Sequence, residues 1–338
     1  MQIGDQLIEI DGSYGEGGGQ IVRTAVALSA VTGKPVRIKK IRQGRPKPGL
    51  APQHAQAISA LAQLCSAKIT GVLPGSSEIF FDPGEIRGGN YRIDIGTAGS
   101  ITLLMQCLMP ATLKADSPVS LEIHGGTDVQ WSPTIDYFKN VFLSALAHFK
   151  AKVSLEIRQR GYYPKGQGSV LLNVEPGNLE PALLTGSVFQ RVEGISHSSN
   201  LPEHVVRRQA ESALQALKDA GIDAEVSQEI LALPSTGSGI TMWSGFKGGS
   251  ALGKRGLPAE KVGIAAAEEM ISEMASDAVV DVHLADQLIP YIALAGGGYT
   301  VREISMHTKT NIWTASHFLD REIKVSEEGV KIFRIEAA

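Results

Sequence analysis

Gly19-Gln20-Ile21-Val22-Arg23-Thr24-Ala25-Val26-Ala27-Leu28, followed after a short turn by Pro35-Val36-Arg37-Ile38, is the stretch whose reading decides the fold. Its first part spaces apolar residues three and four apart, which predicts a helix; its second part alternates, which predicts a strand. The same pair recurs as Gly99-Ser100-Ile101-Thr102-Leu103-Leu104-Met105-Gln106-Cys107-Leu108 with Val119-Ser120-Leu121-Glu122-Ile123. It recurs again as Ala285-Asp286-Gln287-Leu288-Ile289-Pro290-Tyr291-Ile292-Ala293-Leu294 with Tyr299-Thr300-Val301. Each pair leads into a second helix and one or two strands. The first copy has Ala51 to Cys65, then Lys68-Ile69-Thr70; the second has Thr134 to Phe149, then Lys152 to Ile157. The third has Asn311 to Leu319, then Ile323-Lys324-Val325 and Val330 to Phe333. Identity between copies is low, so order and spacing carry the repeat. The expected class is α/β (α+β), with helices packed on one face of each sheet.

Between the second and third copies lies a segment without that pattern. Residues 186–275 predict a strand (Phe189 to Ser196), a long helix (Pro202 to Ala220), two strands (Ala224 to Ala232, Gly239 to Phe246) and a second helix (Leu257 to Met274). This is a plausible size for a small domain. The expected organisation is one domain of three repeats over residues 1–185 and 276–338, with residues 186–275 inserted as a small α/β domain.

With 338 residues, 43% hydrophobic and 20% charged, the chain has the composition of a globular protein with a sizeable core. No apolar run reaches the ~18 residues of a bilayer span. The start, Met1-Gln2-Ile3-Gly4-Asp5, lacks the basic and apolar regions of a secretory leader. Cys65 and Cys107 sit in apolar helical segments and form no CxxC pair, so buried free thiols in a reducing, cytoplasmic setting are expected. The net charge of -3 argues against a general nucleic-acid coat. It hides a local bias. From Gly17 to Ser77 there is no acid, while Arg23, Lys34, Arg37, Lys39, Lys40, Arg42, Arg45, Lys47 and Lys68 all fall there, which points to an anionic ligand.

Two glycine-rich segments imitate nucleotide motifs. Gly15-Glu16-Gly17-Gly18-Gly19-Gln20 lacks the last glycine of a dinucleotide fingerprint and puts a carboxylate where a pyrophosphate would approach. Gly248-Gly249-Ser250-Ala251-Leu252-Gly253-Lys254-Arg255 has Arg255 where a P-loop needs a hydroxyl, so a flexible loop is expected. Other candidates carry two readings each. Glu16 suits a divalent cation or a helix cap. Gln53 suits a cap at Pro52 or a ligand contact. Asp286, in His283-Leu284-Ala285-Asp286-Gln287, suits a helix N-cap or a site. Gln106 is polar in an apolar helix. Arg158 to Gly168 mixes cations with Tyr162 and Tyr163, which can stack on bases or pack. His307 follows the strand-like Tyr299 to Ile304 and precedes a helix expected from Asn311, so it can be exposed and aimed from a polar turn.

Several segments together resemble the RNA 3′-terminal phosphate cyclase family. They are Asp11 to Gln20, Arg42-Gln43-Gly44-Arg45-Pro46-Lys47-Pro48-Gly49-Leu50, Gly99-Ser100 through Gln106, Gly125-Gly126-Thr127-Asp128, Gly161-Tyr162-Tyr163-Pro164, His283 to Gln287, and His307 with Thr310-Asn311. They run in family order over nearly the whole chain. The resemblance implies three βαβαββ units like the C-terminal domain of translation initiation factor three, forming a catalytic domain with a small insertion. It implies an ATP-dependent, ligase-type reaction in RNA processing or repair. A histidine takes AMP from ATP, passes it to an RNA 3′-phosphate, and the neighbouring 2′-hydroxyl closes a 2′,3′-cyclic phosphate. By the resemblance His307 is the nucleophile, attacking through Nε2. Gln106, His283, Leu284, Ala285, Asp286 and Gln287 line the ATP site. Arg23, Arg42, Arg45 and Gln53 hold the RNA end phosphate, and Glu16 helps bind Mg²⁺ or Mn²⁺. The expected partner is RNA with a 3′-terminal phosphate, with no membrane; a dimer is one candidate state. Two rivals stand beside this reading. A non-catalytic cyclase-like ribosome-assembly protein would lose catalytic groups that this chain keeps. An enolpyruvyl transferase would need a phosphoenolpyruvate site and six units, for which the chain is too short.

Overall fold

Ile10, Val36, Ile38, Ile79 and Phe81 are each at most 1% exposed and alternate along three neighbouring strands. In the computed structural model, which describes residues 7–186 and 191–338, β1 (Ile8–Asp11) leads through α1 (Gly19–Thr32) to the parallel strand β2 (Val36–Lys39). After α2 (Pro52–Leu64) come β3 (Lys68–Thr70) and β4 (Ile79–Asp82), with β4 antiparallel between β2 and β3. The sheet order is β1-β2-β4-β3.

The next segment repeats this arrangement. β5 (Gly89–Asp94), α3 (Ile101–Thr112) and β6 (Val119–Gly125) form the parallel pair. α4 (Ile135–Tyr137) then passes through a π-helical turn (Phe138–Phe142) into α5 (Leu143–His148), followed by β7 (Lys152–Gln159) and β8 (Gly168–Glu175) in the order β5-β6-β8-β7.

A third such sheet opens with β9 (Ala182–Leu183) but is interrupted by β10 (Val192–Ser199), α6 (Glu203–Asp219), β11 (Ala224–Leu231), β12 (Gly237–Ser244), β13 (Lys247–Leu252) and α7 (Ala259–Met274). It resumes with α8 (Val282–Gln287), α9 (Ile289–Ala295), β14 (Gly297–Val301), α10 (Met306–Ser316), β15 (Ile323–Gly329) and β16 (Ile332–Ala337). The order β9-β14-β16-β15, with one parallel and two antiparallel pairings, matches the first two sheets.

Apolar faces of all three units share one core, and α1 packs against α2, α3 and α10. The interrupting segment has its own sheet, β11-β10-β12-β13, and its own apolar cluster around Leu217, Ile240, Met242, Val262 and Met270.

The structure departs from the sequence reading in definite places. Each unit opens with a strand ahead of its first helix that residue spacing alone does not pick out; β9 is only two residues long and β5 is largely exposed, so neither carries a strong alternating signal. Gly248 to Leu252 is not a loop but strand β13. A Cβ on Gly249 would lie 2.5 Å from the Ala266 carbonyl oxygen of α7, so this glycine serves close strand–helix packing. α10 starts at Met306 rather than Asn311, because Ser305 caps it by accepting from Thr308 N at 3.0 Å. Of the strand read from Phe189, residues 189 and 190 lie outside the described residues.

Candidate active site

The Ser305 cap puts His307 in the first turn of an eleven-residue helix, where backbone N–H groups lack intrahelical partners and favour anions. Its ring is half-exposed and lies between two carboxylates. Nδ1 is 3.2 Å from Asp286 Oδ2 and Nε2 is 3.1 Å from Glu16 Oε2. The hydrogen bond to Asp286 holds the imidazole above its ordinary pKa, aided by the charges of Asp286 and Glu16 and opposed by partial burial and Arg23.

Three elements fix this geometry. Asn311 Nδ2 donates to the Asp286 carbonyl at 2.8 Å, and Asn311 Oδ1 accepts from Thr24 Oγ1 at 2.8 Å, tying α10 to α8 and α1. Gln20 Nε2 donates to the His307 carbonyl at 2.9 Å. Tyr14 stacks on Trp313 with ring centroids 4.0 Å apart, anchoring the glycine loop of Glu16 on α10. Reading the sequence alone assigns Gln20, Tyr14 and Trp313 no site role; only their neighbourhood, the glycine loop and the His307 helix, points to them.

Both structural alternatives for the carboxylates fail. Glu16 caps nothing: Gly18 is the N-cap of α1, without a side-chain bond. Glu16 Oε2 instead lies 3.3 Å from Arg45 Nη2. The cap of α8 is the buried Asp281, accepting from Leu284 N at 2.6 Å, which leaves Asp286 free to face His307.

A cavity of about 640 Å³ opens beside His307, and its wall includes Arg23, Gln106, His283, Asp286 and Gln287. Gln106 Nε2, Gln287 Oε1 and Tyr291 OH are buried in this wall without hydrogen-bond partners among the described residues. Such groups are costly unless a polar ligand or water meets them. The interrupting segment closes the far side with β13 and with Glu269 of α7, whose Oε1 sits 3.1 Å from His283 Nε2.

Other candidates lie elsewhere. Leu284 and Ala285 are fully buried in the main core, because that face of α8 turns away from the cavity. Arg42, Arg45, Gln53 and Glu16 are outside the wall. Ala51, not Gln53, is the N-cap residue of α2. Arg42 Nη1 donates to the Gly49 carbonyl at 3.0 Å. Arg23 and Arg42 both act on His54, which burial first and these two charges second push down to about 3. Nothing in the sequence singles out His54. A Cβ on Gly19 would come within 2.0 Å of its ring, so the glycine loop and this histidine are fitted together.

The acid-free run is also less cationic in space than along the chain. Arg37 pairs with Glu9 and Glu78, Lys39 with Glu9, and Lys40 with Asp11, all acids from outside the run. Arg23 faces the cavity with no ion pair among the described residues.

A second polar cluster joins the interrupting segment to the second unit. Asp128, Asp136 and His197 bring potential ligand atoms within 4.8 Å of one another. Arg160 already fills the cationic role there, at 2.7 Å from Asp136, 3.4 Å from Asp128 and 2.6 Å from Glu229. Tyr162 OH pairs with His197 Nδ1 at 2.7 Å. Arg160 and Tyr162 are therefore buried packing residues, while Tyr163 is exposed. Both cysteines are free and buried, and burial pushes their thiols up to about 11 for Cys65 and about 12 for Cys107. No helix among the described residues is long and apolar enough to cross a membrane.

Known proteins match this chain along nearly all of its length. A relative from Methanosarcina mazei named RNA 3′-terminal phosphate cyclase is 54% identical over 343 aligned positions, covering 95% of this chain and 97% of that protein. A protein of the same name from Archaeoglobus fulgidus is 53% identical, covering 96% and 99%. Among solved structures, the enolpyruvyl transferase NikO from Streptomyces tendae aligns with a TM-score of 0.38 and 9% identity, covering 97% of this chain and 47% of that one, too weak a likeness to weigh. A family model described as RNA 3′-terminal phosphate cyclase matches residues 14–325, and with these relatives it establishes that the chain belongs to the RNA 3′-terminal phosphate cyclase family.

Proposed function

We propose that this protein converts an RNA 3′-terminal phosphate to a 2′,3′-cyclic phosphate at the expense of ATP, through a covalent AMP on His307. The observation that carries the reading is the setting of His307: Nδ1 beside Asp286, Nε2 beside Glu16, at a helix N-terminus on a cavity of nucleotide size.

Asp286 keeps the proton on Nδ1, which leaves the Nε2 lone pair as the nucleophile once its own proton has gone; Glu16 is the adjacent acceptor for that proton. Nε2 bonds to the α-phosphorus and the bond to pyrophosphate breaks. The ring then carries positive charge, which the Asp286 carboxylate stabilises. In the second step an oxygen of the RNA phosphate attacks the AMP phosphorus and the Nε2–P bond breaks, returning a neutral ring. In the third step the 2′-hydroxyl of the same ribose attacks the RNA phosphorus, loses its proton, and AMP leaves. Ring closure within one ribose gains effective molarities of about 10⁵ M or more. Arg23 and the N-terminal N–H groups of α10 supply anion binding at the reacting phosphates.

Arg42, Arg45 and Gln53 are assigned to the RNA end, outside the cavity wall, so the two substrates approach His307 from different sides. Gln106, His283 and Gln287 are assigned to ATP. Leu284 and Ala285 serve that site by positioning α8, since both are buried. Glu16, a half-exposed carboxylate on a glycine loop, has the donor chemistry for a Mg²⁺ or Mn²⁺ ion held by one carboxylate and substrate phosphates. Such an ion, when bound, would offset triphosphate charge and polarise the α-phosphorus. Residues 186–275 are read as an inserted domain that supplies one wall of the ATP site.

The test of the overall reaction uses matched RNAs ending in a 3′-phosphate or a 3′-hydroxyl. The 3′-phosphate RNA is expected to become phosphatase-resistant only with ATP and a divalent cation. Formation of that end without ATP, or on the 3′-hydroxyl RNA, would refute the proposal.

A further inference from the structure

Trp131 is 95% exposed, although a tryptophan ring ordinarily buries a large apolar area. Its backbone is held at φ 61°, a left-handed conformation that is strained for a bulky residue. Both features oppose stability, yet the loop that carries the ring is stiff. Thr127 N donates to the Gly161 carbonyl at 2.9 Å, and Gly161 N donates back to Thr127 Oγ1 at 2.8 Å. Ser132 Oγ donates to the Val129 carbonyl at 2.9 Å, and Thr102 Oγ1 to the Pro133 carbonyl at 2.8 Å. The buried Arg160–Asp128 pair sits at the base of the loop. These bonds fix the backbone from which the ring projects, so the point of attachment is held in one place.

That place is the rim of the cavity that reaches His307, Gln106 and Asp286. We propose that Trp131 is a base-stacking residue at the mouth of the nucleotide cavity. A flat ring at the rim of a largely apolar cavity that carries a few unpartnered polar groups suits a nucleobase, whose face it covers and whose polar edges remain free for water or for those groups. The base comes either from the adenine of ATP or from a nucleotide near the RNA end. This inference rests on the nucleotide and RNA reading of the cavity.

The test measures equilibrium affinity for two probes separately: an ATP analogue with a non-cleavable α–β link, and a 3′-phosphate oligoribonucleotide. Wild type is compared with Trp131→Phe and Trp131→Gly. The glycine variant removes the ring and relieves the left-handed backbone, so it should melt no lower than wild type. Loss of one stacked base should weaken binding about 5- to 100-fold. A loss confined to the ATP analogue assigns adenine; a loss confined to the oligonucleotide assigns an RNA base; Trp131→Phe should recover most of either. Unchanged affinity for both probes in Trp131→Gly overturns the inference. A wild-type protein that binds neither probe overturns the reaction proposed above as well, which separates the two failures.

Discussion

Replacing Asp286 by Asn tests the chemistry of the His307 ring with little change of shape. Asp286 Oδ2 lies 3.2 Å from Nδ1, and its side chain is only 14% exposed, whereas the histidine side chain is 47% exposed. Two unit charges about 4 Å apart interact by about 4 kcal/mol at an effective dielectric of 20 and by about 1 kcal/mol in water. A pair with one shielded and one half-exposed member falls between these limits, after allowing for screening. In the proposed reaction the carboxylate stabilises the positive ring formed on adenylation, so its neutralisation should slow that step roughly 10- to 10³-fold, at about 1.4 kcal/mol per decade. The asparagine amide can also donate to Nδ1, which would favour the tautomer with the proton on Nε2 and add to the loss.

The pH profile supplies an independent sign. His307 has a raised pKa in the folded protein, so its non-nucleophilic cation persists to higher pH than for a free imidazole. Wild-type adenylation should therefore rise with pH through that elevated value and then level off. In Asp286→Asn the rising limb should move to lower pH while the plateau falls. Single-turnover formation of enzyme-bound AMP against pH measures both effects. A variant with the wild-type plateau and an unmoved limb would refute the role given to Asp286.

Three further outcomes are expected. Arg160→Met leaves Asp128 and Asp136 buried without their counter-charge and should cost about 3–5 kcal/mol in urea unfolding; a loss below about 1 kcal/mol would show that the cluster is not charge-balanced by Arg160. Cys65 and Cys107 should resist a thiol reagent at pH 8 in the native protein and react together on unfolding, because burial keeps both thiols protonated; fast native labelling would contradict their placement. Gly19→Ala should destabilise the protein by about 1–3 kcal/mol through collision with His54, and truncating that histidine in the same chain should restore part of the loss.

Much of this fold was legible because its helices and inner strands are apolar at regular spacing. Val36 and Ile38, or Val119, Leu121 and Ile123, announce themselves by alternation. The opening strands did not: β9 has two residues, and β5 buries only Ile93. β13 was hidden by its glycines, which read as a flexible loop; Gly249 in fact admits the close approach of α7. At the site, residue types were legible and relations were not. Asp286 could be picked out beside His283, but only the Asp281 cap shows why it is free to meet His307. Arg37, Lys39 and Lys40 looked like an anion surface until acids distant in sequence were seen to pair with them. The buried Arg160 cluster had no local signature, since its members come from two structural units.

The central claim is a covalent AMP on His307, and the most direct measurement is labelling with ATP carrying the label at the α- or the γ-phosphate. Acid-labile, protein-bound label is predicted from the α position only, in the presence of a divalent cation. No label is predicted in a folded His307→Ala variant. Undiminished α-labelling of that variant, or a wild-type protein that never takes the label across a range of metal ions, would contradict the claim.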